Sequence, residues 1–324
     1  MRRTFIALLL LCTALCGWSQ DEVNFEFSDG ISNAVLKQRM ERQLSLLLTA
    51  INRAESAGGL INFTGINIEP SASMGITSLW ENAHFRCIDD DIVEHCLVLK
   101  RNGRVYGYQA RNIAIEMKPQ YDNYQDEKEQ EICVDFDTKG NISDLNITMG
   151  INQYSRLMKE GAEIEDLDER MQVIKFCEDL KNAYMKRDLQ FMENIFSDDA
   201  LIITGKVIMR QKAEIGMSQK DYEYTVKTKK EYLKKLREVF NNPRTGAINV
   251  NFREYRVKRH NAKPNYYGVT LIQDWNTDGY SDQGIVFLVW DFSNKEQPKI
   301  QVRTWQPMDT DESEVFTLKR FKLR

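Results

Sequence analysis

The sequence lacks the motifs by which most catalytic and nucleotide-binding sites are detected. It has no P-loop, no glycine-rich dinucleotide-binding loop, no G-x-S-x-G nucleophile elbow and no C-x-x-C pair. Histidine is scarce, with three residues in the chain. In the second half, a histidine-dependent dyad or triad would depend on His260 alone, which lies in a polar turn. The sequence therefore gives no direct indication of a reaction.

Long apolar runs are also missing, apart from one at the start of the chain. Arg2 and Arg3 precede an apolar run over 5–15. This run is too short to span a bilayer as a helix, and its position after two basic residues is typical of a secretory signal peptide. We therefore expect an exported protein of a cell envelope.

The residues after this run suggest how the chain would be processed. Small residues at Gly17 and Ser19 favour cleavage after Ser19, so residues 1–19 are expected to be removed. The mature protein would then be periplasmic or secreted. The alternative is a lipoprotein anchored at Cys16, which the bulky Leu15 before it disfavours.

Basic residues are not in excess. The chain carries 44 Lys and Arg residues against 48 Asp and Glu residues, and loss of Arg2 and Arg3 would make it more acidic. A general nucleic-acid-binding protein needs a basic face, so this class is not expected. The apolar content is ordinary, and the length suggests about two domains, each large enough for its own core.

Cysteines are few, and four of the six lie beyond the expected signal peptide. They are scattered through the chain and do not form the dense framework of a disulfide-rich domain. We expect buried free thiols, with disulfides as the alternative. The four residues are Cys87, Cys96, Cys133 and Cys177.

One short region has residue types that could bind a metal. His84, Cys87, His95 and Cys96 have the chemistry that suits zinc. However, adjacent side chains on an extended segment point to opposite faces, so His95 and Cys96 could not easily share one ion. The acidic run 89–91 lacks the glycine and the spaced ligands of a calcium loop and is expected to be a solvated turn. We expect neither a metal nor another cofactor.

Hydrophobic periodicity in the first half predicts helices followed by strands. Apolar residues recur at helical spacing over 36–54, with Ser32 or Asn33 as the N-cap and Gly58 at the end. A second helix is predicted over 71–82. The predicted strands are 84–88, 92–100, 104–117, 131–136 and 142–149.

The second half repeats this order of elements. A long helix over 166–187 presents an apolar stripe, and a short helix over 189–196 follows. A short strand over 200–203 and an irregular polar segment precede a helix over 228–241. A change of parity around Arg253 predicts a β-bulge that curls the sheet. The remaining predicted strands are 248–258, 266–275, 284–292 and 299–305.

Local sequence similarity indicates an internal duplication. The run 134–136 precedes a charged turn and a final strand, as 290–292 does, and 106–108 resembles 267–269. We predict an α+β fold of two tandem modules, each a long helix plus shorter helices packed on a curved antiparallel sheet. The predicted ranges are 1–19 for a signal peptide, 24–161 and 166–310 for the modules, and 311–324 for a tail.

The segments 183–184, 187–189 and 195–205 describe a long helix that ends in a charged turn, a short returning helix, and an acidic pair before a strand. Over about 167–307 this order resembles the nuclear-transport-factor-2-like superfamily, SnoaL-type proteins included. The resemblance implies a cystatin-like fold for each module. It does not imply protease inhibition, because the inhibitory sequence Q-x-V-x-G is missing. The superfamily includes cyclases, isomerases, dehydratases, ligand binders and protein-interaction modules, so the fold does not select a function.

Candidate site residues lie on or beside the predicted strands of the second module. Enzymes of this superfamily place an acid or base facing a hollow between helix and sheet, which makes Asp274, Tyr280 and Asp291 candidate catalytic residues. The simpler interpretation is that both carboxylates are solvated groups at strand ends. Three tryptophans could line a pocket or a sheet face, although such residues usually pack in the core. They are Trp275, Trp290 and Trp305.

Two hypotheses about function remain open. The first is a non-catalytic envelope protein that binds a small hydrophobic molecule or another envelope protein and could form a homodimer. The alternative is a SnoaL-like lyase, cyclase or isomerase, which requires a deep apolar hollow with a carboxylate at its base. A hollow filled by aromatic side chains would argue against the second hypothesis.

Overall fold

The computed structural model describes residues 21–101, 103–119, 128–160, 167–211 and 218–321. The expected signal peptide and Cys16 lie outside the described residues. None of the described helices is long and apolar enough to cross a membrane. The α-helices are α1 (Ala34–Ala57), α2 (Pro70–Ala83), α3 (Ile151–Glu160), α4 (Leu167–Met185), α5 (Leu189–Ile195) and α6 (Lys229–Asn241).

The strands form two larger sheets and one two-stranded pair. In the first half they are β1 (Asn24–Phe27), β2 (Phe85–Cys87), β3 (Asp91–Glu94), β4 (Cys96–Arg101), β5 (Arg104–Met117), β6 (Glu129–Phe136) and β7 (Ile142–Ile147). In the second half they are β8 (Phe196–Gln211), β9 (Ser218–Lys227), β10 (Asn249–Arg259), β11 (Tyr266–Thr277), β12 (Tyr280–Asp291) and β13 (Lys299–Pro307).

Both larger sheets are built on an antiparallel meander. The first is β4-β5-β6-β7, with β2 paired to the far end of β5, and the second is β10-β11-β12-β13, extended by β8 and β9. The similar runs 134–136 and 290–292 lie at the ends of β6 and β12, which are the third strands of the two meanders. The predicted α+β class with curved antiparallel sheets is confirmed. The pair β8/β13 is parallel because both strands start at the same end of the sheet, beside α5.

Helix α1 begins and ends where the sequence predicts. The side chain of Asn33 accepts hydrogen bonds from two backbone N–H groups of the first turn, and Gly58 takes the left-handed conformation that ends many helices. The apolar stripe of the helix is buried in the core. It consists of Met40, Leu44, Leu47, Leu48 and Ile51.

The predicted bulge in β10 is also confirmed. Its pairing with β11 shifts register between Arg253 and Arg256, and Glu254 has a φ of +54°. Such a bulge bends a strand and increases its twist. It therefore curls the second sheet around α4.

The segment after 203 differs from the prediction. Instead of a short strand and an irregular stretch, β8 and β9 form a long antiparallel hairpin. The available signal was the alternation of Tyr222, Tyr224 and Val226, which polar neighbours obscured. The predicted strand 92–100 is also divided into β3 and β4, because β3 pairs with β1 while β4 pairs with β5. Neither β1 nor α3 was predicted.

Helix α4 contacts both halves of the protein. Its apolar side packs on the second sheet, where the rings of Tyr184 and Trp275 are 5.3 Å apart and those of Phe176 and Trp290 are 5.9 Å apart. Its polar side faces the first sheet, and one hydrophobic core includes residues of both halves. The division into modules at 161–166 stays a prediction.

The four cysteines beyond residue 19 are buried and free, so the prediction of free thiols is confirmed. Burial removes water from these side chains, which disfavours the charged thiolate form. Burial raises the pKa of both Cys87 and Cys96 to about 12. These thiols are therefore unreactive packing groups in the folded protein.

Candidate functional site

A pocket lies between α6 and the concave face of the second sheet. Its volume is about 300 Å³. Strands β8, β11, β12 and β13 form the floor, and α6 forms one wall. The pocket is lined by Tyr232, Leu236 and Val239 of α6, by Thr204, Gly205, Gln273, Trp275, Thr277, Tyr280, Asp282, Arg303 and Trp305 of the strands, and by Thr245.

Local interactions hold the α6 wall in place. Thr228 Oγ1 accepts the N–H of Glu231, and the Glu231 carboxylate accepts the N–H of Thr228, which together form a capping box. Beyond this cap, Tyr232 and Leu236 are buried one turn apart against the sheet. The helix therefore presents a fixed apolar surface to the pocket.

Two glycines make room for Trp305 on the pocket floor. A Cβ at Gly205 would lie 2.1 Å from Trp305 Cε3, and a Cβ at Gly284 would lie 2.2 Å from Trp305 Nε1. Any side chain at either position would displace the indole. The indole N–H is buried without a hydrogen-bond partner among the described residues.

Asp282 is the carboxylate of the pocket. The Tyr280 hydroxyl donates a hydrogen bond to Asp282 Oδ2, while Asp282 Oδ1 is buried without a partner in the described part of the chain. Burial raises the pKa of Asp282, although the Tyr280 hydrogen bond and the charge of Arg303 oppose this shift. This side chain can therefore hold a proton at a higher pH than an exposed aspartate.

Arg303 supplies a buried positive charge. It is 6% exposed, and its Nη2 donates to Gln273 Oε1 over 3.0 Å. Its guanidinium carbon lies 5.6 Å from the centre of the Tyr232 ring. The hydroxyls of Tyr232 and Tyr184 are 2.6 Å apart. The pocket thus has a cationic group and an acidic group among aromatic walls.

Three of the residues singled out from sequence line this pocket. Trp275 and Trp305 contribute to its floor, and Tyr280 lies at its rim with 44% of its surface exposed. Trp290 does not line it, because this side chain is fully buried in the core between α4 and the sheet.

The two carboxylates singled out from sequence lie elsewhere. Asp274 accepts a hydrogen bond from Arg253 Nε over 2.8 Å. It lies between Gln273 and Trp275, which line the pocket, so it points to the other face of the sheet. Asp291 ends β12 and accepts the N–H of Ser293 over 2.8 Å.

Sequence reasoning missed Asp282 because the strand was predicted to start at 284. The structure starts β12 at Tyr280, which gives Asp282 the same face as Tyr280 and Gly284. The alternation of Tyr280, Asp282 and Gly284 beside the Asp278-Gly279 turn was the available signal.

A second polar cluster lies between α4 and the first sheet, beside a cavity of about 20 Å³. Arg111 and Glu178 form a two-pronged ion pair with distances of 2.7 and 2.9 Å. Lys175 bonds both Asp135 and Asp179, at 2.6 and 3.1 Å. Burial raises the pKa of Asp179 to about 6. This cluster joins the two halves.

The residues considered for zinc do not converge. His84 pairs with Glu55 over 3.2 Å, and His95 pairs with Asp29. In the described part of the chain, no three His, Cys, Asp or Glu side chains come together as metal ligands. His260 accepts backbone N–H groups of its own turn.

Comparison with known proteins returns similar structures only. No family model matches the sequence, and no curated protein matches it. An NTF2-like protein from Cytophaga hutchinsonii has 15% identity and a TM-score of 0.29, over 43% of this chain and 98% of that one. ActVI-ORFA from Streptomyces coelicolor has 10% identity and a TM-score of 0.30, over 43% of this chain and 97% of that one.

A third similar structure is Bd1075 from Bdellovibrio bacteriovorus. It has 15% identity and a TM-score of 0.32, and the match spans 44% of this chain and 43% of that one. Identities this low concern the fold and not the activity. The solved structures to which this chain is similar include NTF2-like proteins, each matched over less than half of it.

Proposed function

We propose that the protein binds a small organic molecule in the pocket between α6 and the second sheet. The observation that carries this proposal is the open volume of about 300 Å³, which the surrounding tryptophans line but do not fill. Small-molecule sites are typically concave and largely apolar, with a few polar groups, and measure about 300–1,000 Å³. This pocket lies at the small end of that range.

The lining indicates a flat ligand with hydrogen-bonding capacity at one end. The rings of Trp275, Trp305, Tyr232 and Tyr280 offer faces and edges for stacking. The charge of Arg303 favours an oxygen acceptor, such as a carboxylate or a carbonyl. A molecule of one or two fused rings with such a group matches the size and the chemistry.

Tryptophan fluorescence can test this proposal with simple probes. We expect 2-naphthoate or 2-acetylnaphthalene to quench the emission saturably, because Trp275 and Trp305 line the site. Leu236→Trp would fill the pocket from its wall, so it should weaken binding at least about tenfold, equivalent to about 1.4 kcal/mol. Its matched control is Arg237→Trp, since Arg237 is exposed on the same helix. Absence of saturable binding for a broad set of aromatic acids and ketones would refute the proposal.

We propose further that this binding takes place outside the cytoplasm. The basic residues and the apolar run at the start of the sequence support export. N-terminal sequencing of the protein from cell fractions tests it, and we expect a chain that begins at Gln20. An uncleaved chain in the cytoplasm would contradict export, and a lipid-modified Cys16 would support the lipoprotein alternative.

A second candidate function is acid–base catalysis on the bound molecule. One observation favours it: Asp282 lies in the pocket, bonded to Tyr280, with a pKa raised by burial. A carboxyl group of this kind can transfer a proton to or from a carbon next to a carbonyl group. This would be the SnoaL-like alternative, with Asp282 in place of Asp274 or Asp291.

Proton exchange would reveal such catalysis without knowledge of the natural substrate. We expect 2-acetylnaphthalene in D2O to lose its methyl proton signal faster with the protein than without it, as followed by NMR. The rate should rise with pH through a pKa above the usual aspartate value, because the carboxylate is the base. Asp282→Asn should abolish this exchange, whereas Asp274→Asn should retain it. Equal rates in the two variants would exclude Asp282 as the base.

A further inference from the structure

The two edges of the second sheet differ in how open they are to another strand. The β10 edge is interrupted by the bulge at Arg253 to Arg256 and carries charged side chains along it. The β9 edge has no such bulge, because its register with β8 is continuous over all ten residues from Ser218 to Lys227. Among the described strands, only β8 pairs with β9. An open, regular edge is a template for pairing with another chain.

Two large apolar side chains of β9 are exposed beside this edge. Tyr224 is 50% exposed and Val226 is 66% exposed, and both lie on the same face of the strand. The Tyr224 ring lies 6.5 Å from that of Trp305, so this face continues the aromatic floor of the pocket. Isolated exposed apolar residues are common, but a row of them beside an open edge marks an interaction surface.

The charges of β9 indicate what would occupy this edge. Lys220, Asp221 and Glu223 give the first part of the strand a net negative charge, and Lys227 ends it. Glu223 also pairs with Lys206 of β8 over 2.8 Å. When two copies of such a strand pair antiparallel, the acidic part of each lies opposite the lysine of the other. Opposite charges on directly opposed residues stabilise strand pairs, and like charges destabilise them. The strand is therefore complementary to itself.

We propose that β9 pairs antiparallel with β9 of a second copy of this chain and joins the two second sheets. Two registers satisfy the charges. With Thr225 at the centre, Glu223 lies opposite Lys227 of the second copy and Tyr224 lies opposite Val226. With Tyr224 at the centre, Asp221 lies opposite Lys227. A centre at Glu223 is excluded because it would place two glutamates against each other.

Part of the outer face of the second sheet is already covered. Phe316, Leu318 and Phe321 of the C-terminal segment cover Phe287 and Val302 on that face. The rings of Phe287 and Phe321 stack with centres 5.8 Å apart. A second copy could contact Phe287 and Val302 only after this segment had moved.

The small buried area of such an interface indicates a weak dimer. One pair of edge strands buries less surface than the roughly 1,200–2,000 Å² of a standard stable interface. The dimer should therefore be weak and should form progressively with concentration. It does not depend on the proposed ligand, so the two proposals can fail separately.

Sedimentation equilibrium of the mature chain, from low-micromolar to near-millimolar concentration, tests the proposal. We expect a monomer–dimer equilibrium in the wild type. In either register, Lys227→Glu places two acidic residues opposite each other, and the symmetry of the dimer repeats this contact. The substitution should therefore weaken the dimer about tenfold. Lys139→Glu is the matched control, because this lysine is exposed in the turn between β6 and β7 of the first sheet. It should leave the dissociation constant unchanged.

Second substitutions identify the register and show that the fold is intact. Rescue of Lys227→Glu by Glu223→Lys assigns the centre at Thr225, and rescue by Asp221→Lys assigns it at Tyr224. Either rescue supports pairing through β9. A wild type that stays monomeric at the highest concentration overturns the proposal. A dimer that is indifferent to these charges, or one weakened by Lys227→Glu that neither second substitution restores, overturns it as well.

Discussion

Replacement of Arg111 by methionine is expected to lower the free energy of unfolding by about 3–5 kcal/mol. The side chains of Arg111 and Glu178 are only 5% and 2% exposed, and two hydrogen bonds join them. The substitution would leave the Glu178 carboxylate buried without its cation. The loss of stability comes from this uncompensated charge more than from the lost attraction.

Urea unfolding followed by circular dichroism measures this effect. The double variant Arg111→Met/Glu178→Leu should recover most of the stability, because it removes both charges and keeps similar volumes. Lys235→Met is the matched control at an exposed pair, where the loss of the bond to Glu238 should cost less than about 1 kcal/mol. If Arg111→Met cost no more than this control, the pair would not be buried as described.

The same measurement bears on the relation between the halves. Arg111 lies on β5 of the first sheet and Glu178 lies on α4, which also packs on the second sheet. We expect a single unfolding transition that moves as a whole in Arg111→Met. Two separate transitions would instead support modules that fold independently.

Gly205→Ala is expected to weaken ligand binding in the proposed pocket. The new methyl group would lie 2.1 Å from Trp305 Cε3, so the indole must move. Since Trp305 forms part of the pocket floor, its displacement changes the shape of the site. Overpacking of this kind typically costs about 1–3 kcal/mol of stability. Affinity for the aromatic probes should fall more than about tenfold, equivalent to 1.4 kcal/mol.

Gly279→Ala is the control for that experiment. Gly279 lies in the turn between β11 and β12, near the same pocket, and a Cβ there would meet no atom within 4 Å. Probe titration of the two variants at a temperature where both are folded separates binding from stability. Wild-type affinity in Gly205→Ala would show that Trp305 does not pack against this glycine.

Local signals in the sequence predicted the elements that depend on neighbouring residues. The Asn33 cap, the Gly58 terminator and the bulge around Arg253 each depend on the conformation or hydrogen bonding of a few adjacent residues. The signals were weaker for β9, because an edge strand buries no continuous apolar face. They were also weaker for Asp282, which lies where the strand was expected to be a turn.

The sequence by itself determined the α+β class, the long amphipathic helices, the meander strands and the free thiols. Only the tertiary structure decided what the polar face of α4 contacts. Charged residues such as Lys175 and Glu178 are rarely fully buried, and no pattern in the sequence marked these two as buried. Their partners, Asp135 and Arg111, lie 40 and 67 residues away in the chain. Pairing across such separations leaves no periodic pattern, so neither this buried interface nor the site of Asp282 could be read from neighbouring residues.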